Sequence, residues 1–229
     1  MTDHEELIAA ATVLLLRDAG DDIEVLMLRR NSKIAFGGMW VFPGGRVDAD
    51  EMGDDVLESA RTAAARETME EAGLDIDASA LVTWSHWQPP AMKDMTAGSK
   101  GPIRRFSTWF FAGDAPAGDV AIDNGEIHEH AWLTPSDAMA KHQAGEIELV
   151  PPTWLTLYQL VEHDTVAAAL RWAQTTESAR FWTKPLKGGA KTLVWEGDAA
   201  YESLDPTATG ARNRLVLHPE GWVYEKTDG

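Results

Sequence analysis

Three acidic residues that fall within one helical turn are the part of this sequence best suited to chemistry. Glu67, Glu70 and Glu71 are spaced i, i+3 and i+4, so a helix would place their carboxylates on one face. On its own such a face is usually a solvated surface, and Arg66, four residues before Glu70, would neutralise part of it. A metal-binding interpretation therefore needs a second segment that closes the site.

The Phe-Pro-Gly-Gly sequence at Phe42–Gly45 is a candidate for that second segment. Its two glycines allow positive φ angles and a close approach of the backbone to a ligand. Exposed carbonyl oxygens there would add neutral ligands to the glutamates. The chain has no cysteine, which excludes thiolate ligands, thiolate nucleophiles and disulfides. An all-oxygen site of this kind suits Mg²⁺, with Mn²⁺ as a possible substitute.

The elements around these residues indicate an α/β fold. Two apolar, β-branched stretches flank an Asp- and Gly-rich turn, which predicts a strand hairpin at 9–17 and 23–30. A helix is predicted from about Asp54 to Ala72, with Asp54 or Asp55 as its N-cap and Gly73 after its last turn. Further strands are predicted at 81–87, 105–112 and 127–133, further helices from Thr134, from Pro151 and over 165–175, and short strands at 193–195, 214–218 and 222–225. Such an order predicts a mixed sheet between helices.

Together these segments resemble the box of the MutT/Nudix hydrolase family, G-x5-E-x7-R-E-U-x-E-E-x-G-U, where U is a bulky aliphatic residue. The second half of the box matches residues 66–74, with Thr68 where the family has an aliphatic residue. In the first half, Glu51 has the family's spacing from Gly45, whereas Glu58 has the family's spacing from the arginine. A seven-residue insertion thus leaves two candidates for the first glutamate of the box.

The resemblance covers about residues 9–160 and implies a Nudix-type α/β/α sandwich with a mixed β-sheet. We predict a Nudix hydrolase domain at 1–165 and a small, β-containing C-terminal extension at 166–229 that packs on the same domain. The implied activity is Mg²⁺-dependent cleavage of a diphosphate linkage, in which the metal bridges diphosphate oxygens and activates a water.

The resemblance also implies roles for the residues of the box. Glu67 and Glu71 are expected to be the principal Mg²⁺ ligands, with Glu70 as a shared or water-mediated ligand and the carbonyl of Gly44 as a further one. Arg66 is expected to orient the glutamates rather than to bind metal.

A carboxylate outside the box must hold the attacking water or take its proton. Family members often draw this group from a later loop, a few residues before a tryptophan that starts a strand. Here the segment before Trp132 fits, with Glu126 as the first choice and Glu129 as the alternative.

The strongly acidic balance of the chain bears on its partners. A net charge of −17 repels nucleic acid and anionic membranes, and it would also repel a phosphorylated substrate. Binding of a small-molecule diphosphate therefore needs a local basic cluster. The candidate phosphate contacts are Arg29, Arg30, Arg104 and Arg105, with Lys93 and Lys100 close by in the sequence. Four tryptophans are candidates to stack on a base, although core packing is their more common role: Trp84, Trp87, Trp109 and Trp132.

The segment before the box is similar to the coenzyme A diphosphatase branch of the family, whose signature is Arg-Ser-x3-Arg-x3-Gly-x3-Phe-Pro-Gly-Gly. Arg29, Gly38 and Phe42–Gly45 match it, whereas Arg30 replaces the small residue and Ile34 replaces the second arginine. Coenzyme A or acyl-CoA, ADP-ribose and NADH-like molecules all stay open as substrates.

Two other functions compete with this one. A catalytically silent Nudix-like binding or regulatory module would be expected to lose the acids of the box, and this chain keeps them. A prenyl diphosphate isomerase of similar type would need a catalytic cysteine, which is absent. The lack of cysteine and of a signal-peptide pattern favours a cytoplasmic protein, and the resemblance makes a homodimer possible.

Overall fold

The structure is a computed structural model that describes residues 7–31, 38–91, 104–122, 125–188 and 190–228. Within these ranges the chain divides into two compact units. The described residues within 9–85 and 108–179 form the larger unit, and those within 1–8, 86–107 and 180–229 form the smaller one. The predicted domain boundary at residue 165 and the packing of a C-terminal extension stay predictions.

The described residues form twelve strands and four α-helices. The strands are β1 (Ile8–Ala19), β2 (Asp22–Arg30), β3 (Trp40–Val41), β4 (Gly44–Arg46), β5 (Val82–Gln88), β6 (Phe106–Asp114), β7 (Ile127–Leu133), β8 (Ala179–Trp182), β9 (Lys184–Leu186), β10 (Thr192–Val194), β11 (Arg212–His218) and β12 (Gly221–Thr227). The helices are α1 (Val56–Ala72), α2 (Pro135–Gln143), α3 (Pro151–Leu160) and α4 (Val166–Thr175). No helix within the described ranges combines the length and the apolarity that a bilayer-spanning segment requires.

The larger unit is built on a sheet in which the strands follow the order β3-β2-β1-β6-β5, with β4 paired to β1 and β7 paired to β2. The predicted hairpin is confirmed, since β1 and β2 are antiparallel with Leu16 opposite Val25. Successive residues of β1, such as Leu14 and Leu15, are fully buried, so both faces of the strand are covered. The predicted α/β fold with a mixed sheet and flanking helices is confirmed.

Helix α1 confirms the predicted helix of the box. Of the two predicted caps, Asp55 is the one that accepts hydrogen bonds from the first turn, and Gly73 ends the helix in the left-handed conformation with φ 68°. An N-cap of this kind contributes about 1 kcal/mol. Ala60, Ala63 and Ala64 are buried in the core that contains β1 and β2. Because these side chains are small, the helix backbone lies close to the sheet.

The smaller unit contains a second sheet, with the strand order β12-β11-β10-β9. The three short strands predicted in the tail are confirmed as β10, β11 and β12, whereas β8 and β9 were not predicted. Aromatic packing is prominent in this unit: Trp87 stacks on Phe181 at a ring-centroid distance of 4.1 Å, and Trp195 meets both rings edge-on. The indole of Trp195 also donates a hydrogen bond to Thr183 Oγ1.

Candidate active site

The Phe-Pro-Gly-Gly segment lies directly against the acidic face of α1. The backbone N–H of Gly44 donates to Glu71 Oε2 at 3.0 Å. A Cβ atom at Gly45 would collide with the carboxylate of Glu67, and one at Gly44, where φ is 152°, would collide with the carbonyl oxygen of Ala11. Only glycine therefore allows the backbone to approach β1 on one side and the glutamates on the other.

A threonine that the sequence analysis missed holds this segment in place. Thr12 is buried in β1, and its hydroxyl donates to the carbonyl of Pro43 at 2.6 Å. The N–H of Val13 donates to the same carbonyl at 2.9 Å. No motif indicates this role, because a threonine on a buried strand fits β-propensity alone.

Arg66 forms ion pairs with several glutamates around the acidic face of α1. Its Nε lies 2.8 Å from Glu51 Oε1, and its Nη1 lies 3.1 Å from both Glu67 Oε1 and Glu70 Oε2. Burial tends to raise the pKa of Glu51, but the hydrogen bonds from Arg66 and from the backbone of Asp48 outweigh it and lower that pKa. Such contacts are compatible with the orienting role that the resemblance implies for Arg66, which stays a prediction.

The same contacts distinguish the two candidates for the first glutamate of the box. Glu51 is bonded through both carboxylate oxygens to Arg66. Glu58 is an exposed residue in the first turn of α1. The seven-residue insertion thus lies between Glu51 and Arg66 in the sequence, and Glu51 is the candidate that contacts the arginine.

Glu71 and Glu67 are the two glutamates of the cluster whose pKa values are raised. Glu71 is only 4% exposed, and burial raises its pKa to about 7 against the opposing effects of the Gly44 N–H and of Arg30. Burial also raises the pKa of Glu67, although Arg66 opposes it. The Oε1 atom of Glu71 is buried without a hydrogen-bond partner, an arrangement that costs roughly 1–3 kcal/mol.

These properties fit a divalent cation. Among the described residues, no three acidic or histidine side chains converge as a ready-made metal cage. Glu67 and Glu71 instead lie beside the backbone of Gly44 and Gly45. A buried carboxylate oxygen without a donor, beside a second desolvated carboxylate, is the environment in which a cation is most favourable. Glu70 is more exposed and is paired with Arg66.

The structure separates the two candidates for the water-holding carboxylate. Glu126 lies 3.1 Å from Arg30 Nη2, and its charge contributes to the raised pKa of both Glu67 and Glu71. Glu129 instead lies opposite Arg29 in the β2–β7 register and pairs with it at 3.2 Å. Glu126 is thus the one that adjoins the acidic cluster.

The predicted phosphate contacts have different surroundings. Arg29 is half-exposed, whereas Arg30 is largely buried among carboxylates. Arg104 and Arg105 belong to the smaller unit, where Arg105 donates to the carbonyl oxygens of Pro89 and Pro90. Phosphate binding by these four arginines stays a prediction. Lys93 and Lys100 lie outside the described residues.

Two of the four candidate tryptophans pack in cores. Trp84 is buried, and its indole N–H donates to Gln159 Oε1 at 2.9 Å. Trp87 is buried in the aromatic cluster of the smaller unit. Trp109 and Trp132 are only partly buried, and the guanidinium of Arg17 covers the ring of Trp132 at 4.2 Å.

The fold and the site define a known class of protein. The NUDIX domain profile matches residues 6–152, which is more than half of the chain. The chain therefore belongs to the NUDIX family.

Individual relatives match only in part. An acyl-coenzyme A diphosphatase, NUDT19, of Xenopus laevis is 28% identical over 148 residues, which are 62% of this chain and 37% of that protein. A putative nudix hydrolase 1 of Caenorhabditis elegans is 34% identical over 80 residues, which are 35% and 20%. The chain thus spans well under two thirds of the length of these relatives. A NUDIX hydrolase of Alicyclobacillus acidocaldarius has the same fold, with a TM-score of 0.63 at 23% identity over 76% of this chain and 98% of that one.

Proposed function

We propose that this protein is a Mg²⁺-dependent hydrolase that cleaves the diphosphate linkage of a nucleoside diphosphate derivative. The observation that carries the proposal is the pair of the partly buried Glu67 and the buried Glu71. Both lie against the Gly44–Gly45 backbone, and one buried oxygen of Glu71 lacks a hydrogen-bond partner. A protein with no need for a cation would gain stability by replacing such a pair with neutral or apolar residues.

The residues divide the work as follows. Glu67, Glu71 and the carbonyl of Gly44 would hold the metal, with Glu70 as a peripheral or water-mediated ligand. When bound, Mg²⁺ supplies charge neutralisation for the diphosphate oxygens and activates a water for attack on phosphorus; Mn²⁺ is a possible substitute.

The remaining residues act on the water and on the carboxylates. Glu126 accepts a hydrogen bond from the attacking water and takes its proton, for which its place beside the acidic cluster is suited. Arg66 holds the carboxylates of Glu51, Glu67 and Glu70 in position through its ion pairs.

Coenzyme A or an acyl-CoA is the first substrate to test. Arg29, Gly38 and the Phe-Pro-Gly-Gly segment match the signature of that branch, and the Xenopus relative is named for this activity. The absence of the second arginine, with Ile34 in its place, keeps ADP-ribose and NADH-like molecules in consideration. A cytoplasmic location and a homodimer remain proposals from composition and family resemblance.

The test is a substrate panel with the full chain in Mg²⁺, and in EDTA as the control. CoA, an acyl-CoA, ADP-ribose, NADH and diadenosine polyphosphates are each assayed for release of AMP, phosphopantetheine or the equivalent mononucleotide. We expect metal-dependent turnover of at least one. Binding of a nucleotide without turnover of any would favour the silent regulatory module and overturn the hydrolase.

A further inference from the structure

Arg30 occupies an unusual place for a residue expected to contact phosphate. Its Nη2 lies 3.1 Å from Glu126 Oε2, and its Nη1 lies 3.9 Å from Glu71 Oε1. The guanidinium thus lies between the buried glutamate expected to bind metal and the carboxylate expected to hold the water.

The backbone fixes both partners of this contact. The N–H of Arg30 donates to the carbonyl of Met39, and its own carbonyl accepts from Gly38. The carbonyl of Glu126 accepts from the N–H of Asn31 at 2.7 Å. A register shift between Arg29 and Arg30 in the β2–β7 ladder gives the two arginines different partners. The position of Arg30 is therefore built into the sheet and is not a chance orientation of a surface side chain.

The contact is also incomplete on both sides. Arg30 Nε and Glu71 Oε1 are both buried without a hydrogen-bond partner. At 3.9 Å the Arg30–Glu71 pair has charge attraction but no hydrogen bond. Buried polar groups are normally satisfied, so an arginine that served only to stabilise Glu71 would be expected to bond it fully.

We propose that Arg30 is a resident counter-ion of the acidic site, which holds Glu71 and Glu126 together when no metal is bound and competes with a divalent cation for the charge of Glu71. The inference rests on the proposed function, because it takes Glu71 as a metal ligand. It gives Arg30 a positioning role before substrate binds, and it explains why a charged residue replaces the small one of the CoA branch signature.

The test compares Arg30→Met with Arg29→Met. The neighbouring arginine is a matched control, because it pairs with Glu129 across the β2–β7 ladder but lies outside the acidic cluster. Mg²⁺ affinity is measured by titration calorimetry without substrate, and Tm is measured in EDTA and in saturating Mg²⁺. We expect Arg30→Met to bind Mg²⁺ about tenfold more tightly than wild type. The Tm of the variant should fall below that of wild type in EDTA, and the fall should be smaller in saturating Mg²⁺. Arg29→Met should change neither quantity appreciably.

Arg30→Lys separates charge from shape, since it should restore the wild-type Tm in EDTA if charge is what matters. Unchanged or weaker Mg²⁺ binding by Arg30→Met, or an equal loss of Tm with and without metal, would overturn the counter-ion role. If wild type binds Mg²⁺ and turns over substrate while Arg30→Met behaves like Arg29→Met, only this inference fails. If wild type binds no metal, the proposed function fails with it.

Discussion

Two buried acidic residues, one in each unit, differ in the direction in which the protein shifts their pKa values. Glu71 in the larger unit is 4% exposed, and Asp198 in the smaller unit is 6% exposed. Burial acts to raise the pKa of both, yet the pKa of Glu71 rises to about 7 while that of Asp198 is lowered. Similar solvent exposure therefore does not by itself decide whether the pKa rises or falls.

The difference lies in the donors that each carboxylate meets. Asp198 accepts four hydrogen bonds, two from the guanidinium of Arg214 at 2.6 and 2.7 Å and two from the backbone of Ala200 and Asn213. Glu71 accepts one bond from Gly44 N–H and has a bare second oxygen.

A carboxylate with a full set of donors stabilises the fold, because the protein replaces every hydrogen bond that water made. A carboxylate that lacks them is poorly solvated and ready to take a cation. On this basis we expect Asp198 to stabilise the fold and Glu71 to have the functional role proposed above.

Neutralising Glu71 gives the largest effect expected from this comparison. Glu71→Gln keeps the volume and the contact with Gly44 but removes the charge that would bind Mg²⁺. We expect kcat/KM on the substrate found by the panel to fall by at least about a hundredfold, and Glu67→Gln to behave in the same way. Both variants should keep a Tm in EDTA close to that of wild type, because the charge they lose is one that burial already disfavours. Wild-type rates in both variants would show that the metal assignment is wrong.

The reverse result is expected at Asp198. Asp198→Asn leaves the buried guanidinium of Arg214 without its counter-ion, and breaking such a pair costs about 3–5 kcal/mol. The free energy of unfolding, measured with urea, should fall by this amount. All four donors to Asp198 lie in the smaller unit and outside the acidic cluster, so the folded fraction should keep its rate. A variant as stable as wild type would show that the Asp198–Arg214 pair does not stabilise the fold.

The pH dependence of the free energy of unfolding in acid gives a smaller effect and an independent test of the role of Asp198. The folded-state pKa of Asp198 lies below its ordinary value of 3.8, so its stabilising effect is complete above that value and is lost as the pH falls through the folded pKa. Urea unfolding of wild type and of Asp198→Asn between about pH 6 and about pH 2 should show a stability difference that narrows towards acid. A difference that stays constant would mean that Asp198 is not ionised in the folded protein.

The elements that carry the site were predictable, because local signals decide them. Asp55 and Gly73 bound α1 with standard capping chemistry, and the hairpin of β1 and β2 follows from two apolar runs around a turn. The spacing of Glu67, Glu70 and Glu71 then put them on one face without any knowledge of the fold.

The features of the site that the sequence did not predict depend on contacts between residues far apart in the chain. Strand β4 was not predicted, because its pairing with β1 is set by the partner strand and by Thr12. The choice of Glu51 over Glu58 needed the position of Arg66, fifteen residues away. The contact of Arg30 with Glu126 was also not predicted, because it depends on the pairing of β2 with β7; phosphate binding by Arg30 stays a prediction.

Thr68 extends the comparison to an uncharged group and gives the smallest expected effect. It stands where the family has an aliphatic residue, is completely buried on α1, and donates its hydroxyl to the Ala64 carbonyl at 2.7 Å. Because this local bond satisfies it, as the donors of Asp198 satisfy that acid, Thr68→Val should change the free energy of unfolding by less than about 1 kcal/mol. Thr62→Val is the matched control, since Thr62 makes the same bond to Glu58 at an exposed position of the same helix. The buried variant should be the more stable of the two in urea unfolding, because only there does the added methyl group leave water. A loss well above that of Thr62→Val would mean that the Thr68 hydroxyl supports the neighbouring glutamates as well as its own helix.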